Sequence, residues 1–506
     1  MSTLTAAYGI RWEFRQGRLA GALVTVLVAL AALVGMQAGA SRSMTAVVVS
    51  ARDGGVGSAM HSVKELGGKV GAPISLIHGF IAKVPADRVA ELRAAKDVLS
   101  VDLDRTVSLS SSNGSNGASN PGASLAQVRQ EIGADKLAAK GITGKGVDIA
   151  TIDSGVVPVD GLDGSNQVFV GPDFTPESRD SDTRGLDTFG HGTHLAGIMV
   201  GDNPADGFSG VAPDARLVSV KAATHDGSTN LGELLMGMSW VVANRHRYGL
   251  DIRVLNLSFG SELETSYIAD PLSYAAEQAW NAGIVVVAAA GNGNDVLGIN
   301  TPAADPYVIS VGATSMGKTS SLSDDLVPNW SRVGTYKRGP DVVAPGTSIV
   351  SLRDPGSFID QNYPEGRVGD DYFKGSGTSQ ATAVVSGAAA LLIDKNPDLD
   401  PDQVKALLMG GANDVPNASD AQEGSGQVDV SRAASLQVPD TEQNWPAASL
   451  SAIMHADRSD DYRVDPGGTG RDLKANRWSS NRWSSNRWSS NRWSSNRWSS
   501  GSWGDD

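Results

Sequence analysis

Four short apolar runs, Val147–Ile152, Leu217–Val220, Val254–Leu257 and Ile284–Ala288, recur through the middle of the chain. Their length and nearly unbroken apolarity are those of parallel strands covered on both faces. Helical, small-residue-rich segments separate them, so residues 125–437 predict an α/β fold with a doubly wound, mostly parallel sheet. Near its end Asp400-Pro401-Asp402-Gln403 predicts the start of a helix over Gln403–Met409: an acceptor cap, proline in the first turn and a glutamine able to close a capping box. An earlier stretch, 44–109, reads as a small unit of mixed helix and strand. It has a strand at Ala46–Val49, strands around Ser75–Val84, a helix near Ala86–Lys96 and a strand at Val98–Leu103.

Outside these two parts the pattern changes kind. Leu19–Ala40 is a run of 22 residues without a charge, preceded by Arg11, Arg15 and Arg18 and ending in Ala38-Gly39-Ala40. Residues 1–40 therefore read as a signal peptide or, because the run is long enough to span a bilayer, a signal anchor. In both cases the arginines come first, which places the rest of the chain outside the cytoplasm. Residues 110–124, inside a Ser/Gly/Asn run, have no apolar period and predict a flexible, protease-accessible linker. Residues 438–475 read as a polar linker. The tail, 476–506, repeats Asn-Arg-Trp-Ser-Ser five times, a period that suits neither helix nor strand.

Composition narrows the chemistry. With 40% hydrophobic and 19% charged residues the chain is globular in character. A net charge of −14 argues against recruitment to nucleic acid by overall charge. The absence of cysteine excludes disulfides, thiolate metal sites and a thiol nucleophile, which leaves hydroxyls, amines, carboxylates and imidazoles.

Three segments supply such groups in the order Asp, His, Ser. In VDIATIDSGV an apolar strand ends at Asp153, at the carboxyl edge where open α/β sheets bind ligands. In HGTHLAG, His191 precedes a helix of small residues. In GSGTSQATAVVSG, Ser379 leads into an apolar helix, whose N-terminal N–H groups favour developing negative charge. Singly, these residues read equally well as a turn, a core histidine and a helix cap. Together they are the parts a serine nucleophile needs: a base to take its proton, and a carboxylate to hold that base.

These segments resemble the subtilisin-like (subtilase, S8-type) serine proteases over residues 125–437. Further motifs of that family follow in order: FSGVAPDARLVSVKA, VLNLSFG, VVAAAGNGN, TPAADPYVISVGAT and PDVVAPGTSIVSL. The resemblance implies that Asp153 orients His191, that His191 is general base and acid, and that Ser379 attacks the peptide carbonyl. It further implies that Asn292 donates to the oxyanion, and that Ser258-Phe259-Gly260 and Ala289-Ala290-Gly291 flank the pocket for the residue before the cut. An extended substrate would pair with these segments as an added strand. After the serine the family usually shows Met-Ala-Ser/Thr-Pro-His-Val, where this chain has Gln380-Ala381-Thr382-Ala383-Val384-Val385. That departure bears on local packing and rate rather than on the reaction type.

No cofactor is required for such chemistry. The resemblance allows a structural calcium ion at the loop Gly201–Gly210, where Asp202, Asn203 and Asp206 offer oxygen ligands. It also makes 44–109 similar to the family's inhibitory propeptide, a ferredoxin-like domain whose C-terminal tail passes through the active site. The expected protein is an exported serine endopeptidase made as an inhibited precursor, with polypeptide substrates and its own propeptide as partner. The alternative is a weak or inactive subtilase scaffold that binds anionic envelope polymer or lipid through its Arg/Trp tail.

Overall fold

The computed structural model describes residues 43–109, 122–261, 266–293, 296–317, 319–335 and 338–451. The Leu19–Ala40 run, linker residues 110–121 and the Asn-Arg-Trp-Ser-Ser repeats lie outside the described residues. Among the described residues no helix is long and apolar enough to cross a membrane.

Residues 44–103 form a four-stranded sheet from β1 (Met44–Ala51), β2 (Lys69–Ile74), β3 (Gly79–Pro85) and β4 (Val98–Leu103), in the order β2-β3-β1-β4. The helices Val56–Glu65 and Val89–Arg93 accompany it. Its apolar face closes a small core of its own, with Val47, Val49, Phe80, Val84, Leu92 and Val101 fully buried. Sequence periodicity anticipates β1, β3 and β4 but not the Val56–Glu65 helix or β2, where Gly57, Gly68 and Gly71 dilute the pattern. The next strand, β5 (Thr106–Leu109), leaves this sheet altogether.

The larger part is built on a seven-stranded sheet, each strand parallel to its neighbours. In chain order it uses β6 (Asp148–Asp153) and β7 (Val168–Asp173), after which a small hairpin is made by β8 (Asp202–Asn203) and β9 (Phe208–Ser209). Then come β10 (Arg216–Lys221), the short β11 (Ser228–Asn230), β12 (Ile252–Leu257), the short β13 (Phe259–Gly260), β14 (Val285–Ala289), β15 (Ile309–Thr314) and β16 (Val342–Pro345). The spatial order is β16-β15-β14-β12-β6-β10-β7. From β6 the chain runs first to one side of the sheet and then to the other, so β6 stands at the switch point where such sheets hold ligands. The four apolar runs seen in the sequence are β6, β10, β12 and β14, which fill the buried middle.

The helix Thr378–Lys395 is buried along nearly its whole length and packs against β12, β14 and β15. The helix His191–Val200 lies beside it and against β17 (Ile349–Leu352), which pairs through β19 (Tyr372–Gly375) with β18 (Arg367–Val368). Gly197 permits that approach: a Cβ there would lie 2.4 Å from Ser351 Oγ. The helix Pro401–Gly411 starts with the capping box of Asp400 and Gln403.

Residues 438–451 differ from the polar linker expected of them. Trp445 and Leu450 are buried, the Tyr307 hydroxyl donates to Trp445 O (2.8 Å), and Ala448 N–H donates to Glu277 Oε1 (2.7 Å). Isolated apolar residues in a polar run give no period, yet here they strap the chain across the helix Pro271–Asn281.

Candidate active site

Asp153 is the last residue of β6, and His191 is the first of its helix. The turn Ser154-Gly155 lets the two approach, and His191 Nδ1–H donates to Asp153 Oδ1 at 2.8 Å. The same Oδ1 accepts from Ser154 N–H (2.8 Å), so the carboxylate is held from two sides. Lys221, fully buried at the end of β10, stands opposite Asp153 in the sheet and donates to Ser154 O at 2.6 Å. Behind the histidine, Asp187 accepts from Gly190 N–H (2.7 Å) and Thr193 N–H (2.8 Å), satisfying the donors of the helix start.

This setting determines the imidazole's basicity. Burial pushes His191 down, but the charge and hydrogen bond of Asp153, joined by Asp187, outweigh it and leave the group above its ordinary value of 6.5. His194, one helical turn on, is pushed down to about 4 by burial and by the nearby His191. Its Nε2–H donates to the carbonyls of Ile349 and Phe373, each at 3.2 Å, so it is a neutral part of the scaffold. His191 Nε2 is buried and has no hydrogen-bond partner in the structure.

Ser379 is the second residue of its helix and fully buried. Its Oγ–H donates to Ser258 O at 3.1 Å. Asn292, just beyond β14, is oriented by the preceding residue of that helix: Thr378 N–H (3.0 Å) and Thr378 Oγ1 (3.1 Å) both donate to Asn292 Oδ1. An N–H can only donate, which identifies the accepting atom as oxygen and turns the NH₂ of Asn292 the other way. Sequence reasoning missed Thr378, which orients Asn292, and Asp187, which holds the backbone on either side of His191.

Ser258 and β13 on one side and β11 on the other are the walls of an extended groove, and β5 occupies it. The three form an antiparallel sheet in the order β11-β5-β13, with Leu109 opposite Phe259, Ser108 opposite Gly260 and Ser228, and Thr106 opposite Asn230. Val107 and Leu109 are buried in the core of the larger part, not in that of residues 44–103. Further contacts accompany the strand. Asp104 Oδ1 accepts from Gly232 N–H (2.8 Å), Arg105 O from Leu231 N–H (3.0 Å), and Ser75 Oγ meets Ser239 Oγ (2.9 Å). Ala289–Gly291 lie at the end of β14, and Gly291 N–H donates to Thr378 Oγ1 at 3.2 Å.

The calcium candidates Asp202, Asn203 and Asp206 lie on and beside the hairpin of β8 and β9. Asn203 Nδ2 (3.2 Å) and the Tyr372 hydroxyl (3.0 Å) both donate to Asp206 Oδ2. Among the described residues no group of three or more His, Cys, Asp or Glu side chains is arranged to hold a metal ion.

Comparison with known proteins bears on this geometry. The family model of the subtilases matches residues 144–426. Serine protease AprX of Bacillus subtilis is 38% identical over 298 residues, covering 57% of this chain and 66% of AprX, just under two thirds of its length. Subtilisin NAT of Bacillus subtilis subsp. natto is 31% identical over 386 residues, 74% of this chain and 87% of that protein. Among solved structures, fervidolysin of Fervidobacterium pennivorans, a keratinolytic enzyme related to subtilisin, shares the fold. Its TM-score is 0.62 at 23% identity, over 79% of this chain and 63% of that one. With the subtilase model matched over residues 144–426, the chain belongs to the subtilase family, and the domain that holds Asp153, His191, Asn292 and Ser379 is a serine peptidase domain.

Proposed function

We propose that the protein is an exported serine endopeptidase made as a precursor that inhibits itself. The observation that carries the precursor reading is the placement of β5 as the middle strand between β11 and β13, where an extended substrate would add. Residues 43–109 then serve as inhibitor, with β5 in the place of the substrate strand. The linker is the place of maturation.

Hydrolysis follows from the groups present. The Ser379 hydroxyl exchanges Ser258 O for His191 Nε2, gives up its proton there and attacks the peptide carbonyl. Asp153 keeps the Nδ1 proton in place and stabilises the imidazolium. Asn292 Nδ2 and the Ser379 N–H receive the oxyanion, at the positive end of the helix. His191 then returns its proton to the leaving amine, and a water repeats the sequence on the acyl-enzyme. A serine-directed phosphonate should label Ser379 in the processed protein, together with hydrolysis of casein. Neither labelling nor hydrolysis would leave the binding scaffold as the correct reading. Export rests on the pattern of residues 1–40, arginines followed by a long uncharged apolar run. The Arg/Trp tail, positive where the chain as a whole is negative, suits anionic envelope material through many weak contacts.

A further inference from the structure

We propose that Asn300 reads the side chain immediately before the cleaved bond and makes this enzyme select a small residue bearing a hydroxyl. The proposal rests on the reading that a substrate strand lies between β11 and β13. The space beside Ser379 is bounded by Ser258–Gly260 and Ala289–Gly291, and the Asn300 side chain stands against both walls, with Arg332 also beside Gly291, its Cδ 2.9 Å from where a Cβ there would lie. A Cβ added to Gly260 would lie 2.7 Å from Asn300 Cβ and 2.9 Å from its Nδ2; one added to Gly291 would lie 2.7 Å from the same Nδ2. The backbone fixes it there. Asn300 N–H donates to Ala290 O (2.9 Å), and Thr301 N–H donates to Ser261 O (3.0 Å), so the segment is tied to both walls.

The Asn300 side chain is buried, at 8% exposure, and its Oδ1 has no hydrogen-bond partner in the structure. A buried amide oxygen without a donor is uncommon in a folded protein and calls for an explanation. A substrate hydroxyl supplies the missing donor. An apolar side chain of the same size leaves the oxygen unsatisfied, and a site built to hydrogen-bond a hydroxyl discriminates strongly against such a residue. The asparagine also fills the depth between two glycine walls, so a large ring must displace it or stay out.

The test is kcat/KM for peptides that differ only at the residue before the cut, Ser, Thr, Ala, Leu or Phe, with active enzyme counted by serine-reagent titration. The processed wild type should take Ser and Thr at least about tenfold better than Leu and Phe, with Ala between. Asn300→Gly should raise the Phe-to-Ser ratio by about tenfold or more, and Asn300→Ala should shift it the same way by less. A wild type that prefers Phe or Leu overturns the proposal without any variant, as does an unchanged ratio in titratable Asn300→Gly. Failure of the wild type both to hydrolyse every peptide and to be titrated would overturn the peptidase reading along with this one.

Discussion

The chain changes allegiance between β4 and β5. Only Asp104 and Arg105 separate the two strands, yet Val98 and Val101 of β4 belong to the small core of residues 44–103, whereas Val107 and Leu109 of β5 belong to the core of the peptidase domain. The small unit folds around its own apolar face, and besides the tail that carries β5 it sends Val48, Ile74 and Ile77 into the core of the peptidase domain. In the peptidase domain that tail is the middle strand between β11 and β13, the place proposed for a substrate. Covalent connection and packing are therefore separable. Cutting after β5 removes no contact of the strand, and what then holds residues 43–109 is burial of Val107 and Leu109, about 1.5–3 kcal/mol each, joined by that of Val48, Ile74 and Ile77 and by the strand hydrogen bonds. Inhibition that outlasts the cut is the expected consequence.

Changes that act on one side of this division should leave the other intact. The largest such effect concerns turnover alone. Asn292→Ala should lower kcat by about 10²–10³, the established cost of removing this donor from a subtilisin rather than a figure read from this structure. Steady-state kinetics on the processed protein should show it with KM little changed. On the other side, Val107→Asp with Leu109→Asp should weaken inhibition by residues 43–109 about 100-fold or more, since two buried side chains become charged. An inhibition titration reads this, and the fold of the small unit, followed by its far-ultraviolet circular dichroism, should be preserved. Phe80→Ala does the reverse, destabilising the small core by about 3–5 kcal/mol while a titrated mature enzyme keeps its turnover.

The pH profile tests the site from within. His191 acts as a base only when neutral, and Asp153 raises it, so kcat/KM should rise with pH to a midpoint above about 6.5. A profile that falls with pH across this range would contradict its role. The smallest effect belongs to the tail: removal of residues 474–506 should leave soluble-peptide hydrolysis within about twofold while reducing salt-sensitive retention on cell envelopes. Equal retention would leave the tail without that function.

Much of the fold was legible because its middle is apolar on both faces. The strands β6, β10, β12 and β14 read directly from their branched residues, but β7 did not, since VFVGPD is a half-exposed edge strand containing glycine and proline. Asp153, His191 and Ser379 stood out as candidates because each lies at or near an element end within two residues of a glycine. What turns Asn292 was not, because its partner Thr378 lies 86 residues later and reaches it only through the fold. For the same reason β5 was hidden. It has two apolar residues beside a Ser/Gly/Asn run, and its partners Ser228–Asn230 and Phe259–Gly260 come more than 100 residues further on. Asn300 gave no signal at all until the two glycine walls were placed around it.

The central claim, that the domain holding Ser379 cuts the chain that occupies its own groove, is tested most directly by intact-mass spectrometry of wild type and Ser379→Ala, each purified from a protease-free expression system. The account predicts that the wild type is recovered as two pieces divided between Thr106 and Ser124, and that Ser379→Ala remains one chain across this region. Recovery of Ser379→Ala divided at the same bond and to the same extent would contradict it.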